Sequence, residues 1–143
     1  MVEAHVQLVE GMQFVATSGT GHAIVVDGDP SVGGQDTGPR PMELVLMGLA
    51  GCTAMDVAFI LRRQRQPLKG LRVRVHGERA DTHPKVYTRI HVEYTIYGDV
   101  DDKAARRAIE LSEEKYCSVS AMLKHTAEIT WSYHIVKEAS PTS

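Results

Sequence analysis

Cysteine is scarce: the 143 residues include only two, Cys52 and Cys117. Two cysteines cannot staple a disulfide scaffold, and a chain of this length buries a core without staples. Charge of one sign is also missing. Sixteen Lys and Arg stand against 18 Asp and Glu, a net charge of -2. That balance gives no electrostatic case for nucleic acid or an anionic membrane surface. The opening MVEAHVQLVEG has neither the basic nor the apolar region of a secretory leader. A reducing, cytoplasmic setting is therefore expected, where a disulfide is transient and catalytic rather than structural. Gly-rich residues 18–21 and 32–34 continue to neither Gly-Lys-Ser/Thr nor GxGxxG, so no phosphate cradle is expected. Seven histidines are scattered without zinc spacing. No metal and no bound cofactor are expected. No Ser-His-Asp set follows from spacing, and there is no repeat or low-complexity segment.

One stretch dominates what is present: Pro41 to Arg63, PMELVLMGLAGCTAMDVAFILRR. From Leu44 to Leu61 only Asp56 is charged. Pro41 suits the first turn of a helix, and Arg62, Arg63 and Arg65 suit its last turns, where cations oppose the helix dipole. Gly48, Gly51, Ala54 and Ala58 form a stripe nearly free of side chains, while Leu46, Leu49, Val57 and Ile60 cover other sides. A helix apolar nearly all round is buried. A membrane span is not the reading: the run is at the lower length limit, and Asp56 inside it would cost roughly 3 kcal/mol or more. In so small a chain the helix needs cover on both flanks. A second copy is the simplest source, so an obligate homodimer is expected.

The flanking segments read as strands and shorter helices. Residues 4–10, 12–17 and 22–26 alternate and are separated by glycine turns, a β-meander spanning about residues 1–28. Residues 28–40, GDPSVGGQDTGPR, form a long loop of the kind that is often functional. The central helix spans 41–66. Residues 71–78 and 86–97 alternate as a hairpin. One of Asp99 to Asp102 caps a helix through KAARRAIELSEEKY, Ser118 caps a short helix, and 127–136 is a final strand. The tail KEASPTS is expected to fray. The order βββ-α-ββ-α-α-β lacks βαβ alternation. The fold class is therefore α+β with antiparallel sheets, in a single domain of residues 1–143.

The two cysteines admit two readings. They can be small buried hydrophobes, as free cysteines commonly are, or a redox pair. Cys117 precedes a helix N-terminus, whose free N–H groups lower a thiol pKa. Cys52 lies deep in its helix and needs a cation or donor from elsewhere. Arg40 is one source, held by a bidentate pair with Glu43; either residue can equally be a solvated surface charge. Asp56 can face a polar edge, cap a neighbouring turn or take a functional role.

Three groups of residues together resemble the OsmC/Ohr family of thiol peroxidases, in its OsmC-like branch. They are Pro41-Met42-Glu43-Leu44 running on to Leu49-Ala50-Gly51-Cys52-Thr53; Gly77-Glu78-Arg79 with His83-Pro84; and Glu114-Lys115-Tyr116-Cys117-Ser118-Val119. The resemblance covers about residues 38–136. It implies an interwoven homodimer with its active sites at the subunit interface. It also implies reduction of organic hydroperoxides, and of hydrogen peroxide, in oxidative and osmotic stress defence. Cys52 would be oxidised to a sulfenic acid and Cys117 would resolve it as a disulfide. An external dithiol, a lipoyl group or a thioredoxin-like protein, would reduce that disulfide. In the peroxidase branch an arginine from the N-terminal strands, paired to a glutamate, activates the first cysteine. Here residues 1–39 contain no arginine, and Arg40 is the nearest substitute. The family's glutamate directly follows the proline, whereas here Met42 does and Glu43 comes next. One helical position is a rotation of about 100°. The alternative is a non-catalytic dimer of this family that binds a small apolar or thiol ligand at its interface.

Overall fold

The computed structural model describes residues 1–138. The frayed tail expected at residues 137–143 lies, from residue 139 on, outside the described residues. The chain clusters into two compact units, Met1–Val45 and the part from Leu46 onward.

The first unit is the expected meander. β1 (Ala4–Glu10), β2 (Gln13–Ser18) and β3 (Ala23–Val26) form one antiparallel sheet in the order β1-β2-β3. Gly11, at φ +57, makes the first turn in a conformation that favours glycine. Val26 is buried, but Val6, Leu8, Val9 and Ile24 are exposed. The loop after β3 is not slack. It is gathered on Asp27, which is fully enclosed. The Asp27 carboxylate accepts from Gly28 N at 2.8 Å, from Gln35 N and Thr37 N at 3.2 Å each, and from Thr37 Oγ at 2.5 Å. A short 3₁₀ turn at Pro30–Val32 lies within the loop, capped by Asp29.

The second unit contains most of α1 (Pro41–Arg63) and a sheet of β4 (Gly70–Arg79), β5 (Tyr87–Tyr97) and β6 (Glu128–Val136), with β5 in the centre. β4 and β5 are the expected antiparallel hairpin. β5 and β6 run parallel, which corrects the expectation of purely antiparallel sheets. The reason is the connection: α2 (Asp102–Leu111), a π-helical turn (Ser112–Tyr116) and α3 (Ser118–Leu123) carry the chain back across the sheet before β6 begins. Parallel neighbours need such a crossover.

Along β5, Ile90, Val92, Tyr94 and Ile96 are buried and the residues between them are not, the period of two that puts one face inward. Tyr94 is in register with Tyr133, and Val92 with Trp131. α2 lies on this face: the Arg106 guanidinium stands 5.5 Å from the Tyr133 ring and 5.8 Å from the Trp131 ring. Tyr133 OH also donates to Asp102 at 2.7 Å. Gly77 is required by close approach, since a Cβ there would lie 2.6 Å from the Tyr87 ring.

α1 is long and apolar enough in composition to cross a bilayer. Its stripe Leu49, Thr53, Val57 and Leu61 is nonetheless fully buried by the protein. The other faces are open: Met55 is 75% and Phe59 63% exposed, and among the described residues nothing lies within 4 Å of where a side chain would stand on Gly48 or Gly51.

The bonds to Asp27, with the Thr37 hydroxyl foremost, hold its carboxyl pKa down to about 2 from 3.8. A depressed carboxyl pKa stabilises the fold above the unfolded value, and that stability is lost as pH falls through the folded value. We expect the acid side of the stability profile, between about pH 3.8 and 2, to flatten in Asp27→Asn. Denaturant unfolding followed by circular dichroism across that range checks it; a profile unchanged from wild type contradicts it.

Candidate active site

α1 brings Cys52 and Asp56 onto one face, four residues apart. Cys117 stands at the junction between the π-helical turn and α3. The two sulfurs and an Asp56 carboxylate oxygen all lie within 4.8 Å of one another. Cys52 is half-buried and Cys117 is 2% exposed. Both are free thiols. Among the described residues no further histidine, cysteine or carboxylate joins the group. Three donors are one fewer than the closed set of a structural zinc.

Cys117, rather than Ser118, is the cap of α3, and its Sγ accepts from Ser120 N at 3.4 Å. The expected lowering of its pKa does not follow. Burial pushes the Cys117 thiol up to about 12, outweighing the Ser120 N–H, and the neighbouring Cys52 pushes the same way. α3 is only six residues long, too short to offset desolvation. The π-helical turn sets this geometry. Its extra residue per turn ends with Cys117 N donating to Ser112 O at 2.8 Å, and turns of this kind recur at functional sites.

A chain of buried polar groups stands behind the sulfurs. Ser112 Oγ donates to Asp56 Oδ2 at 3.0 Å. Thr53 Oγ lies 2.7 Å from Ser112 Oγ and 2.6 Å from Tyr94 OH. Tyr94 OH donates to Glu113 Oε1 at 2.7 Å, and Ser120 Oγ donates to Glu113 Oε2 at 3.1 Å. Thr53, Tyr94, Ser112 and Ser120 are buried. Burial, then Glu113, pushes the Tyr94 phenol pKa upward, so it keeps its proton. Sequence reasoning missed Thr53, Tyr94, Ser112, Glu113 and Ser120. The one available signal was Asp56, a lone charge in an apolar helix one turn after a cysteine.

Next to Asp56 opens a groove of about 810 Å³, lined by Phe59, Ile60, Leu111 and Tyr116 with Arg63 as its cation. Its walls are mostly apolar.

Arg40 and Glu43 do not form the expected bidentate pair. The Arg40 guanidinium binds Asp36 and lies 3.8 Å from Asp29, while Glu43 Oε1 accepts from the Arg40 backbone N–H at 2.8 Å. Glu43 therefore serves the start of α1, where its orphan N–H groups need acceptors.

The model of the family described as OsmC-like protein matches residues 34–132. The chain belongs to the OsmC-like family. Protein YhfA of Escherichia coli K12 is 41% identical over 136 residues, covering 94% of this chain and 98% of YhfA. The crystal structure of a hypothetical protein from Aquifex aeolicus VF5 superposes with a TM-score of 0.80 at 34% identity, covering 94% of this chain and 97% of that one. An organic hydroperoxide resistance protein OsmC from Legionella pneumophila superposes with a TM-score of 0.71, covering 93% and 96%; at 15% identity it shares the fold. In this OsmC-like chain Cys52 and Cys117 stand at one site.

The raised Cys117 pKa has a sign that can be measured. The thiol contributes its full stability below the unfolded value of 9.0, and that contribution is lost as pH rises towards about 12. We expect Cys117→Ser to flatten the alkaline fall in stability between those values. At pH 8, iodoacetamide should label Cys52 well before Cys117 in the native protein. Equal labelling rates contradict this arrangement.

Proposed function

We propose that this protein is a thiol-dependent peroxidase acting on organic hydroperoxides, with hydrogen peroxide as a smaller substrate of the same site. The observation that carries the reading is the asymmetric sulfur pair: a partly exposed Cys52 beside a buried Cys117, within 4.8 Å. Cys52 attacks the hydroperoxide and becomes a sulfenic acid, and Cys117 condenses with it. An accessible first thiol and a protected second one suit that order of events. The apolar groove beside Asp56 suits an organic substituent on the peroxide. An external dithiol, a lipoyl group or a thioredoxin-like protein, reduces the disulfide, and no bound cofactor is needed.

The working form in this reading is a homodimer. The open faces of α1 at Met55 and Phe59, and the exposed Val6, Leu8 and Val9 of the first sheet, are more apolar surface than a solitary chain comfortably leaves in water. The bare stripe at Gly48 and Gly51 lets a second α1 approach closely. Sedimentation at micromolar concentration should give twice the chain mass; a monomer contradicts the dimer.

One observation favours a second reading. The Arg40 guanidinium is engaged by Asp36 and Asp29 rather than paired with Glu43. The family's activating pair is therefore not built from these two residues. A dimer that binds a small apolar or thiol ligand without turnover is the alternative. A thiol count before and after one equivalent of cumene hydroperoxide separates the two. Peroxidase activity predicts a rapid fall from two free thiols to none with unchanged subunit mass. It also predicts a trapped sulfenic acid in Cys117→Ser and no oxidation in Cys52→Ser. Two thiols persisting in wild type support the binding protein instead.

A further inference from the structure

The buried chain behind the cysteines is short of hydrogen. From Asp56 to Glu113 it has four links: Asp56–Ser112, Ser112–Thr53, Thr53–Tyr94 and Tyr94–Glu113, at 3.0, 2.7, 2.6 and 2.7 Å. Every link needs one hydrogen. Three hydroxyls supply three, one each. When both carboxyls are ionised, Ser112 donates to Asp56 and Tyr94 donates to Glu113. Thr53 then has one hydrogen for two contacts. One pair of oxygens would face each other at 2.6 or 2.7 Å with nothing between them, in a site where an unmade bond costs most. The hydroxyl of Ser120 does not help, because it is spent on the other Glu113 oxygen.

We propose that Asp56–Ser112–Thr53–Tyr94–Glu113 is a proton relay that stores one proton beyond those of its hydroxyls, shared between its two end carboxyls, and supplies it to the reaction at the cysteine pair. With the proton on Asp56, each group donates to the next towards Glu113. With it on Glu113, every bond reverses. Both arrangements fill all four links. The Cys52 and Cys117 thiols stand at the Asp56 end, where Asp56 also lines a groove that holds Arg63 and Tyr116, and Tyr94 and Ser120 stand at Glu113.

The use of that proton rests on the peroxidase reading; its presence does not. In turnover the Cys52 thiolate, having lost its proton to solvent, attacks the distal peroxide oxygen. The S–O bond forms as the O–O bond breaks, sulfur is oxidised by two electrons, and an alkoxide leaves. Asp56, within 4.8 Å of the sulfur, protonates the alkoxide to the alcohol. The relay is refilled by the Cys117 thiol proton as that sulfur attacks the sulfenic sulfur. The hydroxide expelled when the S–S bond forms takes up the proton that Cys52 had lost and becomes water.

Infrared spectroscopy of the reduced full-length protein near neutral pH tests the stored proton without reference to activity. We expect one protonated-carboxyl C=O band that shifts in D₂O. Asp56→Asn and Glu113→Gln should both abolish it, because an amide N–H at either end supplies the missing hydrogen. Thr53→Val should abolish it by cutting the chain, and Thr53→Ser should keep it. Absence of the band in wild type, or its survival in either amide variant, overturns the proposal. Single-turnover oxidation by cumene hydroperoxide tests the delivery. Asp56→Asn and Thr53→Val should slow it by about tenfold or more, and Thr53→Ser should stay within about twofold of wild type. A wild-type rate in Asp56→Asn overturns delivery. A wild-type protein that carries the band but consumes no peroxide sinks the peroxidase reading and leaves the stored proton standing.

Discussion

Three elements of the second unit meet at one hydroxyl, that of Thr53. It comes from α1, lies between the phenol of β5's Tyr94 and the Ser112 hydroxyl at the end of α2, and is closed off from water. A buried hydroxyl left without partners costs roughly 1–3 kcal/mol, so the three elements are held in one mutual register. That register also fixes the chemistry. Cys52 is the residue before Thr53, Asp56 is three residues after it, and Ser112 begins the turn that delivers Cys117. Moving α1 by one residue would break the polar chain and separate the sulfurs together.

The site divides its labour by environment. Two thiols of identical intrinsic chemistry differ because one is partly exposed and the other is buried at the start of α3. Burial keeps Cys117 a neutral thiol. The carboxyls of Asp56 and Glu113 sit at opposite ends of the hydroxyl chain. The first unit solves a different problem. Its loop after β3 is long, and a single enclosed carboxylate, Asp27, gathers the backbone N–H groups that would otherwise be unpaired.

Apolar surface tells the same story from outside. α1 is apolar on every side, yet one chain covers only the Leu49–Thr53–Val57–Leu61 stripe. The remaining faces, with Met55 and Phe59, are left open by the single chain.

The sequence alone determined most of the secondary structure and singled out the two cysteines. Alternation in β5, the apolar run of α1 and the glycine turns of the meander are local signals, each written within a dozen or two residues. The pairing of Cys52 with Cys117 was legible as a resemblance. The rest was decided by tertiary structure, because it depends on burial and on contacts far apart in the chain. A helix cap suggested an acidic Cys117, and desolvation reversed the sign. Strand order alone suggested antiparallel pairing, and the crossover between β5 and β6 made one ladder parallel. Charge pattern suggested an Arg40–Glu43 pair, and nearer acceptors took the guanidinium. Thr53, Tyr94, Ser112 and Glu113 are ordinary residues in sequence. They become a chain only when α1, β5 and the π-helical turn are packed together, because hydrogen bonds of this length exist only between groups that folding has brought into contact.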